Sequence, residues 1–136
     1  MANGTIAFDT LSTSGQISGT AKSVDTDYVV NGSAKCWVTL NGTGTAAILD
    51  SLNTSGLTDS GTGDYTVAIN NDFSTVNYSL TTGVKGVSGT SNAIAEIDIA
   101  AASSASSFKI DTMQAGATQS GLDCPLLNCT LHGDLA

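Results

Sequence analysis

The residues that could do chemistry are few in this 136-residue chain, and they stand far apart. General acid–base catalysis wants a histidine or a pair of carboxylates held in a shielded site. The only histidine is His132, in the stretch LHGDLA, with Asp134 two positions further on. A Ser-His-Asp arrangement can be drawn around them, but no G-x-S-x-G elbow precedes them to expose a nucleophile. The cysteines are Cys36, Cys124 and Cys129. An odd number makes a poor disulfide framework, so free buried thiols are expected, although Cys124 and Cys129 could bridge if the loop around Pro125 folds back. With His132 those two form a loose C-x4-C-x2-H, which lacks the fourth ligand and the tight spacing of a zinc site. Asp25 and Asp27, in SVDTDY, share one face of an extended segment and could hold a cation together with Asp9. The plainer reading is solvated strand-face charge. Asp59 and Asp64 with the glycines between them lack the alternating ligands and closing Glu of a calcium loop. No glycine-rich turn carries the G-K-[ST] ending of a phosphate-binding loop. The expectation is a protein with no catalytic residues, no metal and no cofactor, and not an enzyme.

The elements that would have to position any site follow from composition. Seventeen Ser, nineteen Thr, fifteen Gly and nine Asn dominate, with eleven Asp, one Glu, four Lys and no Arg. Helices want Glu, Lys, Arg, Leu and Gln on their wet faces, whereas strands and turns take Thr, Val, Asn, Asp and Gly. A helical bundle is therefore excluded. The net charge is −8, and no Lys lies near another in the sequence. Without a basic patch to neutralise phosphates, neither nucleic acid nor an anionic membrane is an expected partner. The longest apolar runs are four residues, such as Ala46–Leu49, far short of the roughly 20 that span a bilayer. The opening MANGTIAFDTLSTSGQ has neither a basic start nor an apolar core, so no secretory signal and cytoplasmic synthesis are expected.

Period-2 alternation recurs along the chain, broken by Gly, Asn, Ser and Asp clusters. Short strands are expected at Thr5–Thr10, Asp27–Val30, Ser33–Leu40, Thr45–Ser51, Tyr65–Ile69, Val76–Thr81, Ala95–Ile99, Phe108–Thr112 and Leu127–Leu131. In Ser33–Leu40 one face carries Ala34, Cys36, Val38 and Leu40, and the other carries Lys35, Trp37 and Thr39. Either face could be the core, and a buried Trp37 is the expectation for the only Trp of the chain. Asn41–Gly44 reads as a tight turn, because Asn-Gly favours hairpin geometry. Asp59–Asp64 reads as a second turn, with a short exposed stretch between Leu52 and Leu57. Thr82–Asn92 reads as the longest irregular loop. About eight short strands with turn signals between them describe an all-β fold, an antiparallel β-sandwich or barrel-like head.

Core material is scarce. Seven aromatics are spread over the chain, and many strand-face positions are Ala, Ser or Thr, which bury little area each. Residues 1–30 hold few large apolar groups and read as an extended N-terminal arm for docking or oligomerisation, followed by a β-sandwich domain over 31–136. Ile6, Phe8, Leu11, Ile17 and Tyr28 are the arm residues suited to a subunit or particle contact.

The stretch GSAKCWVTLNGTGTAAILDSLNTSGLTDSGTGDYTVAINNDFSTVNYSL, Gly32 to Leu80, resembles a β module found in bacteriophage tail fibres and other small phage virion proteins. The family pattern runs as an S-A-K-A-W strand, an N-G-T-G turn, an S-[FL]-N segment, an S-x-[IL]-T-D turn, G-T-G-D-Y-T-V and a strand ending near N-Y. Those elements stand here as Ser33–Trp37, Asn41–Gly44, Ser51–Asn53, Ser55–Asp59, Gly61–Val67 and Asn77–Tyr78. Cys36 occupies a position where the family has Ala. The opening residues and the ending LHGDLA are similar to a subgroup of short stand-alone marine phage proteins. The resemblance implies a non-enzymatic virion structural protein on the particle exterior: a homotrimer acting as a capsid decoration protein, a head fibre or a tail-fibre component. Its implied partners are itself and other virion proteins, the major capsid or tail proteins. Assembly in the host cytoplasm and release by lysis would need no export signal.

A glycan-binding adhesin, a host receptor-binding module at the bacterial surface, is the alternative. Sugar sites on β-sandwiches use an exposed aromatic for stacking with Asn and Asp nearby. Trp37 is the first candidate, then Tyr65 and Tyr78, although both tyrosines sit on apolar strand faces.

Overall fold

The computed structural model describes residues 16–18, 23–87, 93–97, 103–116 and 120–136. Of the expected arm contacts, Ile6, Phe8 and Leu11 lie outside these residues, as does the strand expected at Thr5–Thr10. A small hairpin of β1 (Gln16–Ser18) and β2 (Ser23–Asp25) leads into a helix, α1 (Thr26–Gly32). Nine further strands follow: β3 (Cys36–Asn41), β4 (Ala47–Leu52), β5 (Thr54–Gly61), β6 (Asp64–Ile69), β7 (Ser79–Lys85), β8 (Ala93–Ile97), β9 (Ser107–Gln114), β10 (Ser120–Gly121) and β11 (Leu126–His132). They form two antiparallel sheets, and the protein is an all-β sandwich.

The four-stranded sheet has the order β4-β3-β11-β7. The five-stranded sheet runs β10-β9-β6-β5, with β8 also paired to β9. Strand β9 takes β6 and then β10 along one edge. Thr112 shows this directly: its N–H donates to Gly63 O at 2.7 Å and its carbonyl accepts from Leu122 N at 3.0 Å. The opposite edge of β9 is left for β8.

Alternation along four central strands builds the core. Cys36, Val38 and Leu40 of β3, with Leu127, Cys129 and Leu131 of β11, face Tyr65, Val67 and Ile69 of β6 and Phe108 and Ile110 of β9. Each of these is at most 5% exposed. Truncating a buried Leu or Ile of this set costs about 2–5 kcal/mol. Phe73 closes one end, with its ring centroid 4.8 Å from that of Tyr78. The chain terminus is fastened there, since Ser74 N donates to Asp134 O and Ala136 N donates to Asp72 O. Along one side β7 meets β8, where Thr82 Oγ1 donates to Ala95 O at 3.1 Å. That bond ties the two sheets together along this side.

Three expectations are corrected. Asp27–Val30 belongs to helix α1 and is not a strand. Local end effects override its two valines: Asp27 lies in the first turn, where a carboxylate favours the helix dipole. At the other end Ser33 Oγ donates to Val29 O and Val30 O, and Lys35 Nζ also donates to Val30 O, so orphan carbonyls of the last turn are satisfied. The stretch between Leu52 and Leu57 enters β5, which runs on through Asp59 to Gly61. The start of the expected loop at Thr82–Asn92 is strand, because β7 continues to Lys85 through register pairs with β11.

Candidate functional site

The quoted motif segments between Gly32 and Leu80 meet one another, and the segment around Asp123, at the two ends of the sandwich. At one end the N-G-T-G turn after β3 meets the G-T-G-D-Y run that opens β6. Gly42 N donates to Cys124 O at 2.9 Å. A Cβ at Gly42 would lie 2.1 Å from the Tyr65 hydroxyl, so only glycine fits against that ring. Tyr65 Oη donates to Asp123 Oδ1 at 3.0 Å and lies 3.3 Å from Gly42 O. The same carboxylate oxygen accepts from Gly63 N at 2.7 Å. Gly63 has φ +76, and a Cβ there would lie 2.1 Å from Thr112 O. Thr112 is fully buried, and its hydroxyl donates to Leu122 O at 2.7 Å. Burial, then the hydrogen bond and negative charge of Asp123, push the Tyr65 phenol well above its ordinary range.

At the opposite end Asn53 turns the chain from one sheet to the other. Its φ of 58 lies in the left-handed region, which Asn tolerates better than most residues. Its side-chain amide donates to Lys35 O and Asn71 O, both at 3.0 Å, and its Oδ1 accepts from Asn71 N at 2.7 Å. Its carbonyl accepts from Asn70 N at 3.1 Å and faces Cys36 Sγ at 3.6 Å. Lys35 and Cys36 belong to the S-A-K-[A]-W strand, and Asn53 to the S-[FL]-N segment. These motif residues are cross-ties between loops.

The residues singled out for chemistry are not assembled. No hydrogen bond joins His132 to Asp134 among the described residues. No group of three or more His, Cys, Asp or Glu among them could hold a metal ion. Asp27 lies in α1 and Asp25 ends β2, while Asp9 lies outside the described residues. The three cysteines are free and buried. Burial pushes the thiol of Cys36 up to about 11 and that of Cys129 up to about 12, and raises that of Cys124 as well. Thiols held protonated in this way are poor nucleophiles.

Three aromatics were candidates for stacking, and the fold separates them. Tyr65 is 1% exposed and has no face available to a ligand. Tyr78 is half-buried against Phe73, with its hydroxyl donating to Ser104 O or Ser107 O at 3.2 Å. Trp37 departs from the expectation of core burial. Because Cys36, Val38 and Leu40 face the second sheet, Trp37 stands half-buried on the outer face of the four-stranded sheet. There it is opposite Leu52 on β4 and Thr130 on β11. The neighbouring row carries Asp50, Thr39 and Asn128, with Thr39 Oγ1 donating to Asn128 Oδ1 at 2.8 Å.

Of the arm contacts, Ile17 pairs with Val24 in the β1–β2 hairpin. Tyr28 is 76% exposed on α1, beside exposed Val29 and Val30. On the outer face of the five-stranded sheet, strand register sets Asp64, Asp111 and Glu96 in one row. Lys109 answers that row, with its Nζ 3.0 Å from Asp64 Oδ2. Sequence reasoning missed this row and the role of Asp123; only pairing across strands far apart in the chain brings those residues together.

No family model, curated protein or solved structure matches this chain.

Proposed function

We propose that the protein is a non-enzymatic structural component of a bacteriophage particle. It sits on the exterior as a capsid decoration, head-fibre or tail-fibre subunit and assembles as a homotrimer. The observation that carries this reading is the use made of the motif residues. Gly42, Asn53, Gly63 and Tyr65, which carry the family resemblance, each tie one loop of the sandwich to another. In this chain those motif residues hold a scaffold tied at both ends, which supports a structural role.

Two features support assembly with other copies and other particle proteins. Tyr28, Val29 and Val30 lie consecutively and exposed on α1, and Leu49 and Leu52 are exposed on the outer strand β4. Exposed large apolar side chains of this kind are available to a protein contact. With four Lys, no Arg and a net charge of −8, the surface suits protein or neutral partners over nucleic acid or anionic membrane. Sedimentation equilibrium of the recombinant chain at micromolar concentration tests the assembly. A trimer is expected, and a monomer would reject that part of the reading.

The position of Trp37 favours a second reading, a receptor-binding module for host-surface glycan. A partly exposed indole on the outer sheet face, beside Asn128, Thr39 and Asp50, combines a stacking surface with hydroxyl-binding groups. Retention of the wild-type chain, but not of Trp37→Ala, on immobilised host polysaccharide would support it.

A further inference from the structure

The chain holds three Asn-Gly dipeptides, Asn3-Gly4, Asn31-Gly32 and Asn41-Gly42; the last two lie among the described residues, and the fold treats them in opposite ways. In such a pair the glycine amide nitrogen can attack the asparagine side-chain carbonyl, because no Cβ obstructs the approach. We propose that Asn31 is a site of spontaneous deamidation in the folded protein, and that Asn41 is protected from it.

The step balances with water as the only co-reactant. Gly32 N loses its proton and bonds to Asn31 Cγ, the Cγ–Nδ2 bond breaks, and ammonia leaves a five-membered succinimide. Water then opens the ring at either carbonyl. One opening gives Asp at position 31; the other gives isoaspartate, with the main chain routed through the former side chain.

The two sites differ in what holds them. Asn31 and Gly32 are both exposed and line an open depression with Asp27 and Tyr28. No side-chain hydrogen bond holds Asn31 among the described residues, and a Cβ built at Gly32 meets nothing within 4 Å. Both sit in the last turn of α1, a helix of seven residues. Isolated helices are marginal below about 12–15 residues, and the bonds from Ser33 and Lys35 that tie this last turn are exposed to solvent; opening the turn lets Gly32 N reach Asn31 Cγ.

Asn41 is pinned instead. Its Nδ2 donates to Thr43 O at 2.9 Å, and its Oδ1 accepts from Thr43 Oγ1 at 2.7 Å and Thr43 N at 3.2 Å. The attacking atom, Gly42 N, is itself engaged with Cys124 O at 2.9 Å. Gly42 is buried against the Tyr65 ring, so the main chain cannot swing into the ring-closing geometry without opening that end of the sandwich.

Conversion would place one more negative charge at the C-terminal end of α1, where the helix dipole opposes it. It falls at the junction between the arm and the sandwich. Peptide mapping by mass spectrometry tests the proposal, on the full recombinant chain aged at mildly alkaline pH with and without urea. In the folded chain Asn31 should convert at least about tenfold faster than Asn41, while in urea the two should convert at similar rates. Gly32→Ala, at a position with open space around it, should suppress the product at Asn31 and leave the fold intact. Equal conversion of both sites in the folded chain would overturn the proposal. So would an unchanged Asn31 in a folded sample whose urea control converts both.

Discussion

The hydroxyl of Tyr65 donates to Asp123 Oδ1 at 3.0 Å across 58 positions of sequence. Through that one oxygen, which also accepts from Gly63 N, the start of β6 is fastened to the loop that leads into β11. The bond is partly buried, and away from water a satisfied polar network stabilises while a half-satisfied one is costly. Tyr65→Phe should therefore lower unfolding stability by about 1–2 kcal/mol, and Asp123→Ala, which strands two donors, by about 2–3 kcal/mol. Urea denaturation of the three proteins checks the order.

Gly63 should tolerate no side chain. Its φ is +76, and an added Cβ would lie 2.1 Å from Thr112 O and 2.8 Å from Leu122 N, both backbone atoms. Gly63→Ala should cost more than about 3 kcal/mol or prevent folding. Gly83→Ala on β7, where a Cβ meets nothing within 4 Å, should be neutral or mildly stabilising. Thermal melts of this pair separate a true steric requirement from a general intolerance of substitution.

The buried thiols make a prediction about alkaline pH. Their folded values are raised, to about 11 for Cys36 and about 12 for Cys129, from 9.0. The folded state therefore keeps protons that the unfolded chain releases. Stability should be fully present below pH 9.0 and fall as pH rises from there through about 11 to 12. Cys129→Ala should be less stable at neutral pH but show a shallower alkaline fall. Alkylation of native protein near neutrality should be slow at all three cysteines and fast after unfolding.

The carboxylate row on the outer face of the five-stranded sheet predicts a salt effect. Like charges directly opposite on neighbouring strands are destabilising, and Asp64, Asp111 and Glu96 occupy such a row with Lys109 beside them. Lys109→Gln should cost about 0.5–1 kcal/mol at low ionic strength and less in added salt. A loss that does not change with salt would mean that Lys109 acts through the packing of its stem.

How far the sequence revealed this structure depended on which face carried a signal. Strands β6 and β9 were legible because Tyr65, Val67 and Ile69, and Phe108 and Ile110, alternate with polar residues. Strand β5 was not, since Thr54–Gly61 is an edge strand whose one large apolar residue is Leu57. The face of β3 was undecidable locally, with Trp37 on one side and Cys36, Val38 and Leu40 on the other. Packing against β6 and β9 settled it. The glycines of N-G-T-G and G-T-G-D-Y could be read as turn residues, but their partner Asp123 lies 60 positions from Gly63. No local pattern points to that contact.

The central claim is that this chain is a structural part of a phage particle. Its most direct test is quantitative mass spectrometry of particles released by lysis from cells expressing this sequence and banded in a density gradient. The account predicts that the chain bands with the particles. A copy number in simple ratio to the major shell protein would identify a decoration or head-fibre subunit, and a few copies per particle would identify a tail component. A chain that stays in the soluble fraction, with none on the particles, would contradict the account.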